Sequence, residues 1–193
     1  CDEGIVMGLA TYGDPHNTVF GTDKTYYQLF EEILVDKGNY DYEVCKDWIS
    51  YHLTRDEWIS NQFISVFGAP REYSEEISQH HMDIAAALQM RLEVIVLKQL
   101  KRARDHLGVK RLCLAGGVAL NCSMNGKIES AGLFDELFIQ PASGDAGVAV
   151  GACYLAEKKN RSTVLPRRNT NFYLGSGLES EQVKQVFDDR GLE

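Results

Sequence analysis

Apolar positions after residue 110 fall in short runs, each closed by small, turn-forming residues. Arg111-Leu112-Cys113-Leu114 reads as a strand, followed by Ala115-Gly116-Gly117 and a stretch able to open a helix. Glu136-Leu137-Phe138-Ile139 repeats the device, with the turn Gln140-Pro141-Ala142-Ser143-Gly144 before a helix of small residues. Strand, helix, strand, helix is the pattern of a parallel α/β layer. Earlier in the chain the periodicity is helical. Between Thr25 and about Phe67, Tyr27, Phe30, Ile33 and Leu34 make one stripe, and Trp48, Ile49 and Leu53 another. A break is expected near Thr54, whose hydroxyl is suited to cap the next helix. Gly68-Ala69-Pro70 ends this block. A long helix is predicted from about Ser74 to His106, with Ile77, Ile84, Leu88, Leu92, Ile95 and Leu100 on one side and Gly108 as its stop. Residues 4–13 read as a glycine-punctuated strand or turn, 14–24 as loop, and 157–171 as a polar, basic loop. An amphipathic stretch begins near Ser180.

Candidate chemistry concentrates in the two glycine-rich turns. A strand that ends in two glycines and enters a helix lets backbone amides approach a ligand without Cβ clashes. Asn121 and Asn125 are four apart, roughly on one helical face, with amides able to bond a ribose or a phosphate. Gly144, Gly147 and Gly151 leave one face of the following helix bare, which marks close packing, because each helical glycine costs about 1 kcal/mol against alanine. Asp145 opens that helix, either as an N-cap or as a carboxylate beside a divalent cation. The aromatic block between 25 and 67 reads as core rather than as a substrate surface. Glu31, Glu32, Asp36 and Lys37 read as a solvated face. His80 and His81 are adjacent and diverge on a helix, so they do not chelate one metal. Lys158, Lys159, Arg161, Arg167 and Arg168 read as solvated charge rather than a phosphate site.

The wording of these segments resembles a known family. Leu114 to Ile128 (LAGGVALNCSMNGKI) and Phe138 to Ala152 (FIQPASGDAGVAVGA) are similar to the second half of the nucleotide-binding domain of the nodulation and antibiotic O-carbamoyltransferases. Val6 to Pro15 (VMGLATYGDP), Gln79 to Glu93 (QHHMDIAAALQMRLE) and Asn171 to Val183 (NFYLGSGLESEQV) resemble further family segments, in the same order. The resemblance implies an α/β fold, part of an actin-like/Hsp70/sugar-kinase (ribonuclease H-like) ATPase domain with a helical insertion. In that layout residues 1–175 form the second half of the domain. Residues 25–107 are mainly helical, 111–156 form the nucleotide and metal segment, and 176–193 begin a linker. It also implies that ATP and carbamoyl phosphate yield a carbamoyl-adenylate, whose carbamoyl group passes to a hydroxyl of a small molecule or oligosaccharide. Gly116, Gly117, Val118, Asn121, Asn125 and Gly144 would lie at the nucleotide. Asp145 would help hold a divalent metal (Mg, Mn or Fe), and His81 would be a candidate to face the nucleotide cleft. The chain departs from the family at Ile5, where a lysine is usual, and at Ser176, where a proline is usual.

Composition narrows the remaining alternatives. The chain has 193 residues, 44% of them hydrophobic, enough for one domain with a substantial core. A net charge of −8 argues against a nucleic-acid partner. Five cysteines without a CxxC pair, and no apolar run of membrane-spanning length, fit a cytoplasmic chain with no membrane partner. The sequence starts at Cys1 and contains no two histidines four apart. Because the family's metal-binding His-x-x-x-His lies in the first half of the domain, the chain is expected to be a piece of a longer protein and inactive alone. A sugar kinase, a tRNA threonylcarbamoyl transferase or a non-catalytic nucleotide-binding relative stays open as an alternative. Acceptor, metal identity and oligomeric state are not encoded in any feature of the sequence.

Overall fold

The computed structural model describes residues 3–160, 177 and 179–191. The chain divides into two compact units, Cys1–Gly147 and Val148–Glu193. The fold is mixed α/β, as expected in outline.

In the first unit, Glu3–Leu9 form helix α1, followed by a 3-10 turn at Ala10–Tyr12. This corrects the strand-like reading of residues 4–13. Helix α2, Tyr26–Ile33, starts at Thr25, whose hydroxyl accepts from the Gln28 N–H while Gln28 returns a bond to the Thr25 N–H. That reciprocal cap satisfies two otherwise orphaned amides. Tyr26, Leu29, Phe30 and Ile33, at helical spacing, are all buried.

The helical reading of residues 25–67 fails between Ile33 and Ser60, where the one helical piece is a 3-10 turn at Lys46–Trp48. A hairpin follows, β1 (Leu34–Gly38) antiparallel to β2 (Asp41–Val44). Its two-residue turn holds Asn39 at φ 47° and Tyr40 at φ 68°. Tyr40 is bulky for a left-handed position, and its hydroxyl is held by donation to the Arg102 carbonyl at 2.9 Å. The dipeptide Gly38-Asn39 between two apolar runs was the hairpin signal, masked by the helical stripe. No helix begins at Thr54. Helix α3, Asn61–Phe67, is capped instead by Ser60, whose hydroxyl accepts from the Phe63 N–H at 3.2 Å.

The long helix is α4, Gln79–Leu107, ended by Gly108 at φ 64°. Its buried positions match the predicted stripe only in part: Ile95 is buried and Ile84 packs against the core, but Ile77 and Leu88 are exposed. The buried positions are Asp83, Ala85, Ala86, Ala87, Gln89, Arg91, Glu93 and Ile95. Small and polar side chains therefore let neighbouring segments come close to α4. The aromatic block is core in part: Tyr40, Tyr42, Tyr51 and Trp58 are exposed, while Val19, Tyr26, Leu29, Phe30, Ile33, Trp48, Phe67 and Ala87 form one buried cluster. Phe67 sits at its centre, with ring centroids 4.5 Å from Phe63, 5.8 Å from Phe30 and 6.0 Å from Trp48. Burying such a ring stabilises the fold by about 2–3 kcal/mol.

Asp36 is not solvated as expected. Its side chain is 12% exposed and is bound on both oxygens by Arg102, at 2.8 and 3.0 Å. The guanidinium, with help from the Gly38 N–H, holds this carboxyl well below the usual carboxylate range. Strands β3 (Arg111–Leu114) and β4 (Glu136–Ile139) pair in parallel, joined through helix α5, Cys122–Ser130. Helix α6, Ala146–Asn160, follows β4.

In the second unit, helix α7 covers Ser180–Arg190, capped by Glu179 and Gln182 and stopped by Gly191 at φ 62°. Its start agrees with the amphipathic stretch predicted there. The basic residues Arg161, Arg167 and Arg168 and the segment 171–176 lie outside the described residues. Among the described residues no helix is long and apolar enough to cross a membrane.

Candidate functional site

The two glycine-rich turns meet at the C-terminal ends of β3 and β4. Leu114 and Ile139 are the last partners of the ladder, and the Gln140 N–H donates to the Leu114 carbonyl at 3.1 Å. Both chains then turn, and the Gly116 N–H donates to the Ser143 carbonyl at 2.8 Å. One backbone bond thus ties the first turn to the second, on the edge where open α/β sheets bind their ligands.

Gly116 lies at φ 103°, ψ 161°, a conformation that any Cβ would strain. Gly117–Leu120 then form a 3-10 turn that buries Ala119 and exposes Val118 and Leu120. Across the bond, Ser143 is buried and its hydroxyl donates to the Gln140 carbonyl. Gly144 faces the Leu120 methyl in ordinary contact, 3.6 Å from where a Cβ would sit. Asp145 is exposed and immediately precedes α6. Gly116, Gly117, Val118, Gly144 and Asp145 therefore lie on two linked turns. The close packing expected of the small-residue helix is present at Gly147, where a Cβ would fall 2.1 Å from the Ala142 carbonyl oxygen. At Gly151 a Cβ would meet open space.

The two asparagines do not share a helical face as expected. Asn121 is the N-cap of α5, and its Oδ1 accepts from the Met124 N–H at 2.9 Å. It also pairs with Gln89 of α4 in both directions: Gln89 Nε2 donates to Asn121 Oδ1 at 3.0 Å, and Asn121 Nδ2 donates to Gln89 Oε1 at 2.8 Å. Both Oδ1 lone pairs and one N–H are thereby used inside the chain, leaving a single donor for a ligand. Asn125 donates through Nδ2 to the Ala119 carbonyl at 2.8 Å, while its buried Oδ1 has no hydrogen-bond donor among the described residues.

Gln89, Glu93 and Lys127 were not singled out from the sequence. Gln89 Nε2 also donates to Glu93 Oε1 at 2.7 Å, and Lys127 of α5 meets the other Glu93 oxygen. Glu93 is 3% exposed, so its charge is balanced where water cannot do so. The available signal was polar residues four apart on one helix, beside the run Ala85-Ala86-Ala87 that marks a tightly approached face.

A second polar centre lies nearer the α4 N-terminus. Asp83, buried, accepts from the Asp14 N–H at 2.8 Å, Asn17 Nδ2 at 2.9 Å and Gln79 Nε2 at 2.8 Å. Burial pushes its carboxyl up, but these donors outweigh burial and hold it below the usual range. His80 is committed too, with Nε2 2.5 Å from the Phe67 carbonyl and Nδ1 2.6 Å from the Tyr26 hydroxyl. The carbonyl only accepts, so Nε2 carries the proton. His81, the candidate for a nucleotide cleft, takes part in the α4 cap, its Nδ1 accepting from the Ser78 N–H at 3.0 Å. Burial, the neighbouring His80 and Arg71 hold the His81 imidazole below its ordinary value.

Among the described residues no three His, Cys, Asp or Glu side chains gather as a metal site. Asp145 is an exposed carboxylate at the linked turns, so its chemistry fits one ligand of a hard divalent cation, not a full shell.

This geometry accompanies a clear relationship to known proteins. Residues 1–154 match the family described as Carbamoyltransferase N-terminus. Nodulation protein NolO of Bradyrhizobium diazoefficiens is 38% identical over 187 residues, 96% of this chain and 30% of that protein. Nodulation protein NolNO of Sinorhizobium fredii is 36% identical over 182 residues, 94% of this chain and 24% of that protein. Nodulation protein U of Bradyrhizobium diazoefficiens is 35% identical over 74 residues, 36% of this chain and 13% of that protein. The chain spans only a quarter to a third of the length of the relatives it matches along most of its own. By this match the chain belongs to the carbamoyltransferase family, in the family's N-terminal portion.

Proposed function

We propose that this chain supplies part of the nucleotide site of an ATP-dependent O-carbamoyltransferase with an actin-like ATPase fold. The observation that supports it best is the Gly116–Ser143 bond, which sets two glycine-bearing turns together beyond the parallel strands. In this reading Gly116 and Gly117 let the backbone lie against the nucleotide, and exposed Val118 gives the base or ribose an apolar contact. Gly144 keeps the second turn low. Asn121 mainly fixes the first turn and retains one N–H for the nucleotide, and Asn125 has one N–H for the same purpose.

The overall chemistry consumes carbamoyl phosphate, ATP and water and gives carbamoyl-adenylate, pyrophosphate and phosphate. An acceptor hydroxyl oxygen, on a small molecule or oligosaccharide, then attacks the carbamoyl carbon and AMP leaves. A divalent cation, when bound, neutralises phosphate charge and acts as a Lewis acid. Asp145 is the residue that would help hold it, with other ligands from outside the described residues. The chain's own contribution is positioning and preorganised backbone donors.

The test is isotope exchange in the full-length protein. Carbamoyl-phosphate-dependent exchange of labelled pyrophosphate into ATP, lost in Asp145→Ala, supports the reading. Phosphate transfer to a sugar without exchange overturns it in favour of a kinase. ATP binding with neither reaction overturns it in favour of a non-catalytic relative.

A further inference from the structure

We infer that Gln89, on the middle of α4, is a positioning residue for the nucleotide turn, acting through Asn121; this inference rests on the nucleotide reading of that turn. The argument follows donor and acceptor roles outward from Glu93. A carboxylate only accepts, so the Gln89 group 2.7 Å from Glu93 Oε1 must be Nε2. The second Nε2 hydrogen goes to Asn121 Oδ1 and Gln89 Oε1 takes the Asn121 Nδ2 hydrogen. Asn121 is thereby held with its oxygen toward the Met124 N–H, the orientation that caps α5. Lys127 pairs with the other Glu93 oxygen from the far side. A directed chain runs from Lys127 through Glu93, Gln89 and Asn121 to the point where the 3-10 turn Gly117–Leu120 enters α5.

No other residue bonded to Asn121 reaches it from α4, and Gln89 is itself almost fully enclosed. Without Gln89, Asn121 can still cap α5 but its side chain loses the bonds that fix its rotation. The exposed residues Gly116, Gly117 and Val118 then sample orientations in which their amides miss the ligand. The consequence is specific: ATP recognition weakens while the use of carbamoyl phosphate is untouched.

The experiment uses the full-length protein with three variants: Gln89→Met, which keeps length and burial, Asn121→Ser, which keeps an N-cap oxygen but removes the amide pair, and the double variant. KM for ATP, KM for carbamoyl phosphate and kcat are measured in the pyrophosphate exchange reaction, with ATP affinity from calorimetry. Each single variant is expected to raise KM and Kd for ATP about tenfold, as for loss of a buried hydrogen-bond pair. KM for carbamoyl phosphate stays unchanged, and the double variant is no worse than the weaker single one, because both act through one pair. Unchanged ATP affinity in folded Asn121→Ser overturns the inference, even if Gln89→Met does not fold. So do fully additive effects, or equal losses for both substrates. If the unaltered protein binds no ATP at all, it is the nucleotide reading itself that fails.

Discussion

Gly13→Ala isolates how closely α4 is approached. Gly13 has φ −101° and ψ 162°, which alanine adopts freely, so the backbone itself accepts the substitution. The cost comes from space. An added Cβ would lie 2.0 Å from the Met82 carbonyl oxygen, 2.3 Å from its carbon and 2.7 Å from the Asp83 nitrogen. All three are backbone atoms of a helix, so no side chain can swing aside. Restoring ordinary contact needs a shift of more than about 1 Å between the 10–17 segment and α4. That displacement also pulls the Asp14 N–H and Asn17 Nδ2 from the buried Asp83 carboxylate. Overpacking costs about 1–3 kcal/mol, and each charge-assisted bond about 1.5 kcal/mol or more. The expected loss is therefore about 4–6 kcal/mol, a fall of about 10–20 °C in Tm for a chain of this size. Urea unfolding followed by circular dichroism reads it directly. A variant within about 0.5 kcal/mol of the unaltered chain would falsify the close-approach argument, since Gly13 would then have room that the structure denies it.

Gly116→Ala has the opposite cause: nothing among the described residues lies within 4 Å of its Cβ, but φ is 103°. Strain of about 1–3 kcal/mol is expected to flip the turn and release the Ser143 carbonyl, weakening ATP binding in calorimetry with little change in Tm; an unaltered Kd contradicts it. Asp36→Asn tests the Arg102 pair. A carboxyl held below its unfolded value stabilises the fold above about pH 4 and loses that contribution as pH falls further. The unaltered chain should thus lose Tm more steeply than Asp36→Asn below about pH 4, and parallel acid limbs would dismiss the pair as a contributor.

What the sequence made readable was governed by local rules. The β3 and β4 strands, the stop at Gly108 and the aromatic core all follow from short-range pattern and burial. The hairpin at residues 34–44 escaped because its apolar positions also fit a helical stripe, and only the Gly38-Asn39 pair leading into the Asn39-Tyr40 turn decides between them. The buried face of α4 escaped for a different reason. Periodicity searches for large apolar residues, whereas this helix buries alanines and charges that are satisfied by partners 30 to 70 positions away. The same limit applies to the site. Gly116 declares itself by sequence, but that Asn121 is bound to Gln89 depends on a contact across 32 positions.

Arg91 completes a pattern that bears on how α4 is placed. Its Nε donates to the Leu34 carbonyl at 2.8 Å and its NH1 meets Glu31 at 3.2 Å, while Asp83 faces residues 14 and 17 and Glu93 faces Lys127. Three buried charges on one helix are thus matched to three separate neighbours. A slide of one helical turn, about 5.4 Å, would strand all three without partners at once, and each stranded charge is strongly destabilising. An alanine-and-leucine face would tolerate intermediate settings. This one works as a keyed shaft: α4 has one axial stop, and the turn at Gly116, indexed to it through residue 89, inherits that setting.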